Sequence, residues 1–259
     1  MSGTLAGRAV LVTRPAGMSA QLVALLQAEG GETVLLPAIE ILPPDDAAKL
    51  DAAIDRLDGF DIAIFISPTA VAMANAAVRS RRNWPARLRY AAVGSGTAAA
   101  LREIGMDDVM APQGRGDSEA LAALPELAEV TGRRIVIFRG HGGREVLRET
   151  LVARGAQVEY AECYRRALPR ADVGPLIERW GQGGIDAVCV TSAAGLDNLV
   201  VLLGAAGVSG PALLRATPVF VPHPRVGEAA RNRGIERVIV TGAGDQALAE
   251  ALASFFAKV

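Results

Sequence analysis

Two arginines close near-copies of one pattern: GRAVLVTRPAG at residues 7 to 17 places Arg14 at the end of its apolar run, and GRRIVIFRGHG at 132 to 142 places Arg139 there. A guanidinium carries a planar fork of N–H donors, so either side chain can grip a carboxylate through paired, charge-assisted bonds. Either can instead tie its own loop to a nearby Asp or Glu. RGHGGRE at 139 to 145 adds Arg144 and the glycines Gly140, Gly142 and Gly143, the makings of an anion-binding turn for phosphate or carboxylate.

Other polar groups recur at the ends of apolar runs. ISPT at 66 to 69 and VTSA at 190 to 193 set Ser67, Thr69, Thr191 and Ser192 just before helical segments, where they can cap a helix or meet a ligand. GSGTAAAL at 94 to 101 offers Gly94, Ser95 and Thr97 at another helix start, whose open amides suit an anion. His141 lies in the glycine loop and His223 in PHPR, where either can contact a ligand. Neither His141 nor His223 has ligand-spaced partners for a metal, and no GxGxxG, GxxxxGK[ST], CxxC pair, HExxH or GxSxG occurs. Tyr164, in ECYRR, falls on a segment that reads as an interdomain crossing, which would expose its phenol as a packing group or an acid.

Composition narrows the partners. The 259 residues favour two domains, and 51% hydrophobic with 21% charged residues describes an ordinary globular protein. With 27 Lys and Arg against 28 Asp and Glu, no global field draws the chain to nucleic acid or to a membrane, so local groups must meet any anionic ligand. Cys163 and Cys189 suit a reducing compartment and two small buried side chains. The opening MSGTLAGRAVLVTRP lacks a basic segment followed by a long apolar one, and FDIAIFIS is broken by Asp61, so a cytoplasmic protein is expected.

The elements that must position these groups come in two copies. Arg14 and Arg139, Gly17 and Gly142, Gly30 and Gly155, and Ser67 and Ser192 are all 125 residues apart. Each copy reads as a buried strand (9 to 13; 134 to 138), an amphipathic helix, a stop at Gly30 or Gly155, and a second strand. Leu22, Leu25 and Leu26 mark one face of the first helix. The runs from Asp61 and Asp186 then start further strand–helix units. Short apolar strands alternating with helices predict parallel sheets covered on both faces, about five strands each, with ligands at the carboxyl ends. PAIEILPP at 37 to 44 and AECYRRALPR at 161 to 170 read as crossings between domains. Division near residue 128 is the other organisation the repeat permits.

The chain resembles the uroporphyrinogen-III synthase family over nearly its whole length. The resemblance is carried by VLVTRP at 10 to 15, FISPTAV at 65 to 71, AAVGSGTAAALREIG at 91 to 105, the run from Ile135 to Arg166, VTSAAGLDNL at 190 to 199 and HPRVGEAARNRG at 223 to 234. It implies two similar flavodoxin-like or Rossmann-like α/β domains joined by a two-strand linker. Residues 1–37 and 168–259 would form the discontinuous domain, 42–160 the other, and 38–41 and 161–167 the linkers.

The resemblance further implies a carbon–oxygen lyase that needs no cofactor and no metal. It would close hydroxymethylbilane, a linear polycarboxylate tetrapyrrole, to uroporphyrinogen III with loss of water and inversion of ring D, serving porphyrin and heme biosynthesis. By the same likeness Tyr164 is the catalytic residue, expected to orient the departing hydroxyl and lend it partial acid assistance. Ser67, Thr69, Thr97, Arg139, Ser192 and the turn His223 to Arg225 hold carboxylates, with Arg14, Gly94, Ser95, Gly140, Gly142 and Thr191 beside them. Thr69 stands where asparagine is frequent in the family, and Pro68 removes a backbone donor there. A monomer is expected, with transient handover from hydroxymethylbilane synthase. The alternative is a two-lobed module that binds a tetrapyrrole or another polycarboxylate without converting it; a structural or regulatory protein would do neither.

Overall fold

Strand β1 (Ala9–Val12) serves two cores at once: Ala9 and Leu11 belong to one apolar cluster, Val10 and Val12 to another. Successive strand side chains point to opposite faces, so an unbroken apolar run requires cover on both. The computed structural model describes residues 3–114 and 116–258, so the expected domain limits at Met1 and Val259 lie outside the described residues. The chain divides into two compact units, residues 1–40 with 167–259, and residues 41–166.

In the discontinuous unit the sheet order is β11 (Val238–Val240), β10 (Val219–Val221), β9 (Ala187–Cys189), β1 and β2 (Glu32–Leu35), with every ladder parallel. Helices α1 (Ala20–Ala28) and α11 (Asp245–Phe256) cover one face through Leu22, Leu26, Leu248 and Leu252. The other face carries α7 (Gly174–Gly181), α8 (Ala193–Ala205), α9 (Ser209–Ala216) and α10 (Pro224–Arg231). There the indole of Trp180 donates to Thr217 Oγ1 at 2.9 Å, which satisfies a buried donor inside an apolar cluster.

The second unit has the order β3 (Glu40–Leu42), β8 (Gln157–Ala167), β7 (Arg134–Gly140), β4 (Ile62–Phe65), β5 (Arg89–Ala92) and β6 (Val109–Met110). From β8 to β6 all neighbours are parallel. The short edge strand β3 makes six strands where about five were expected. One face packs on α2 (Ala47–Asp55), α3 (Pro68–Arg79) and α4 (Ser95–Glu103), the other on α5 (Ser118–Ala122) and α6 (Val146–Ala153).

The two sheets are built by exchange. Taking β1 and β7 as first strands, both sheets run second, first, third, fourth, fifth, but each draws its first two strands from one copy of the repeat and the remaining three from the other. Paired aspartates tie the copies together. Asp186 accepts the Ala9 amide at 2.8 Å and Arg8 at 3.0 Å, while Asp61 accepts the Arg134 amide at 2.8 Å and Arg133 at 3.1 Å. The amide bond to Arg134 is the main cause holding the Asp61 carboxyl below its usual range.

Winding of this type places the switch points between first and third strands, β1 with β9 and β7 with β4, and ligands bind beyond their carboxyl ends. The expected linker 161–167 is itself strand: β8 continues to Ala167 and stays paired with β7 as far as Tyr164.

Candidate active site

Strand β4 delivers Ser67 to the switch point of the 41–166 unit. Its backbone is extended (φ −164°), Pro68 occupies the first helical position of α3, and Ser67 Oγ accepts the Ala70 amide at 3.0 Å. Ser192 repeats this arrangement at the end of β9, accepting the Gly195 amide at 3.0 Å. Both serines are therefore helix caps, and each hydroxyl retains a proton and one further lone pair.

At Ser67 that remaining capacity meets Tyr164, whose hydroxyl lies 3.2 Å from Ser67 Oγ. A β-bulge makes the contact. Simple alternation along Ala161, Glu162, Cys163 and Tyr164 would send Tyr164 to the face of half-buried Glu162. The register instead pairs Arg139 with Glu162 and Gly140 with Tyr164, so Cys163 and Tyr164 enter the same core cluster. Tyr164 is 1% exposed, against the expectation of an open phenol. Its ring lies directly over Gly140, where a Cβ would come 2.7 Å from two ring carbons. Cys163 beside it donates to the Arg139 carbonyl at 3.3 Å, and burial pushes its thiol up to about 12, so it stays neutral.

Arg139 faces the other way. Its side chain is 3% exposed, and it donates to Glu145 Oε1 at 3.1 Å, to the Gly142 carbonyl and to the Gly140 carbonyl at 3.3 Å. The guanidinium lies 4.3 Å from the centroid of the Tyr160 ring, and the Tyr160 hydroxyl donates to Glu145 Oε2 at 2.9 Å. This bracket folds the glycine loop, with Gly142 and Gly143 both at positive φ. The expected ligand arginine is thus a loop brace here, because Glu145 lies within its reach. A cavity of about 220 Å³ opens on this face, lined by Ile66, Val93, Asp117, Arg139, Arg144 and Tyr160 among others. Arg144 pairs with Glu119 at 2.8 Å.

The bracket has a pH signature. The Tyr160 hydroxyl, followed by Arg139, holds the Glu145 carboxyl below the usual range against the opposing effect of desolvation. Burial, with Glu145 second, pushes Tyr160 up to about 12, so the phenol remains a donor. A carboxyl lowered on folding stabilises the folded state above its unfolded value, and that stabilisation is lost as the pH falls through the folded value. Glu145→Gln is therefore expected to melt below the wild type at neutral pH, with the difference closing below about pH 4; melting curves across that range check it.

The remaining predicted residues spread over both units. Gly94 caps α4 with its Cα against Gly116, leaving exposed Ser95 and buried Thr97 in the first turn, while Thr69 lies in the first turn of α3. In the discontinuous unit Arg14 pairs with Asp245 at 2.5 Å and so, like Arg139, braces its own neighbourhood. Thr191 and Ser192 follow β9, and exposed His223, Pro224 and Arg225 begin α10 after β10. The structure brings Ser67, Gly140 and Tyr164 into contact and sets Arg139 and Gly142 on a separate bracket. Sequence reading missed Glu145, Tyr160 and Arg166; Arg166 was accessible as the residue two beyond Tyr164 on one strand.

Among the described residues no three His, Cys, Asp or Glu side chains cluster as a metal ion would need, and no helix is long and apolar enough to cross a membrane. A family profile described as "Uroporphyrinogen-III synthase HemD" matches residues 20–250. Uroporphyrinogen-III synthase of Salmonella typhimurium is 40% identical over 191 residues, covering 73% of this chain and 78% of the relative. The Escherichia coli protein of that description is 36% identical over 195 residues, covering 75% and 79%. A substituted form of the Thermus thermophilus uroporphyrinogen III synthase shares the fold at a TM-score of 0.61, with 18% identity over 98% of this chain and 100% of that one.

Fold and strand ends together define a protein of two flavodoxin-like parallel-sheet units whose strand ends lead into capped helix starts. The chain belongs to the uroporphyrinogen-III synthase family and is an enzyme of that family.

Proposed function

We propose that the chain converts hydroxymethylbilane to uroporphyrinogen III, with Tyr164 assisting departure of the terminal hydroxyl. Family membership supports the reaction, and the contact of Tyr164 with Ser67 at a switch point is the observation that carries the assignment of the acid. The pyrrole nitrogen supplies the electron pair that expels the hydroxyl, which leaves as water, and an electrophilic azafulvene results. Ring D attacks through its substituted α carbon to give a spiro intermediate, whose fragmentation and reclosure invert the ring. The pyrrole is the carbon nucleophile, so the protein's tasks are to fold the substrate and to place one acid.

Substrate carboxylates are held by neutral donors. In the 41–166 unit these are Ser95 and the adjoining first-turn amides of α4, with Thr69 and Thr97 nearby. In the discontinuous unit they are Thr191 and Ser192, and the start of α10 at His223 to Arg225 adds the one formal cation, Arg225. Helix starts favour anions without carrying a formal charge, which suits a flexible polyanion that must be released as product. Arg14 and Arg139 contribute by keeping their loops in shape.

The test is an isomer-resolved assay on freshly made hydroxymethylbilane. Spontaneous closure yields the I isomer, so the expected result is strong enrichment of III over a protein-free control. Equal isomer proportions with and without the protein overturn the reading.

A further inference from the structure

Arg166 is an exposed cation with an unusual attachment. Its Nη2 donates to the Tyr164 hydroxyl at 3.3 Å, and the guanidinium carbon lies 5.8 Å from the centroid of the same ring. Among the described residues it makes no ion pair, and the bond to the phenol oxygen is its one side-chain hydrogen bond. Its neighbour Arg165, by contrast, pairs with Asp45 at 2.9 Å. On strand β8 the residues at 164 and 166 lie on one side beyond the bulge, so backbone geometry holds this pair together.

Counting donors and acceptors decides what the phenol can do. A tyrosine hydroxyl has one proton and two lone pairs, and a serine hydroxyl has the same. Ser67 Oγ uses one lone pair on the Ala70 amide, and Arg166 fills one lone pair of Tyr164. When Ser67 directs its proton at Tyr164, both phenol lone pairs are occupied and the phenolic proton is the only capacity left. Tyr164 then acts toward a substrate as a donor. As that proton moves, the charge growing on the phenol oxygen is met by a guanidinium and a hydroxyl already in place.

We propose that Arg166 is a positioning residue that fixes Tyr164 as the proton donor for hydroxyl departure, and the proposal rests on the reaction given above. The carbon–oxygen bond of the hydroxymethyl group breaks with the electron pair on oxygen. The phenolic proton joins that oxygen to give water, while the pyrrole supplies the electrons of the new exocyclic double bond. The proton released when the closing carbon regains aromaticity returns to the phenolate, so the protein ends unchanged. The unused N–H groups of Arg166 remain open to a substrate carboxylate, which couples docking of that arm to the acid.

The experiment is a double-mutant cycle on the full chain, with steady-state kinetics and isomer analysis for wild type, Arg166→Met, Tyr164→Phe and the double variant. Arg166→Met is expected to lower kcat about tenfold, with a smaller change in KM and a fall in the share of the III isomer. Arg166→Lys, which keeps a charged donor, recovers part of kcat. In the Tyr164→Phe background Arg166→Met should have little further effect, because its target hydroxyl is gone. A single cooperative melt within a few degrees of the wild type establishes folding, and Arg166→Gln replaces Arg166→Met should that variant fail this check. The proposal falls if Arg166→Met costs the same factor with and without the Tyr164 hydroxyl, or if kcat is unchanged. Failure of the wild type to enrich III overturns the assigned reaction instead, so the two outcomes are distinct.

Discussion

Tyr164→Phe is expected to lower kcat for formation of the III isomer roughly 100-fold, the lower end of what a positioned acid contributes. The ring itself stays, and with it most of the packing of one of the largest fully buried side chains. What disappears is a hydroxyl within reach of Ser67 Oγ at 3.2 Å and Arg166 at 3.3 Å. Ser67 keeps its bond from the Ala70 amide, so the cap of α3 survives and the stability cost is about 1 kcal/mol. The groups proposed to hold carboxylates are untouched, and KM should change little. As the catalysed route slows, spontaneous closure takes a larger share and the I isomer rises. Steady-state rates with isomer separation and a melting curve check this; an unaltered kcat would exclude Tyr164 as the acid.

Gly140→Ala should damage both fold and activity. The added Cβ would fall 2.7 Å from Cε2 and Cζ of Tyr164, closer than real Cβ atoms come to neighbours, and a tight 3.1 Å from its hydroxyl oxygen. Overpacking of a filled core costs about 1–3 kcal/mol, which for a domain of this size lowers the melting temperature by roughly 3–10 °C. The ring has to give way, and its hydroxyl leaves Ser67 and Arg166 together. Activity should therefore fall at least as far as in Tyr164→Phe. Gly132→Ala is the informative control, since Gly132 has a φ of +75° and nothing within 4 Å of the added carbon. Its cost is backbone strain alone, about 1–2 kcal/mol, with no loss of isomer selectivity. Equal kcat for Gly140→Ala and wild type would show that the Tyr164 position is not critical.

Part of this site could be read from residue types alone. Ser67 and Ser192, matched by spacing and read as caps, accept the amide three residues on at the same 3.0 Å in both copies. Gly30 and Gly155, read as helix stops, both sit at positive φ. Arg14 and Arg139 were matched correctly as counterparts, yet their partners are Asp245 and Glu145, which do not correspond in the repeat. Strand periodicity likewise points Tyr164 the wrong way, because it cannot show that two residues of β8 oppose one of β7 across the bulge.

The amino-acid sequence by itself determined the order of strands and helices, the caps and the stops. These depend on residues within a few positions of one another, where burial periodicity, φ preference and side-chain-to-amide bonds act. Only the tertiary structure decided which copy's strands share a sheet, and that Ser67, Gly140, Tyr164 and Arg166 converge. Those outcomes rest on pairing register between distant segments, and a shift of one residue there sends a side chain to the opposite face.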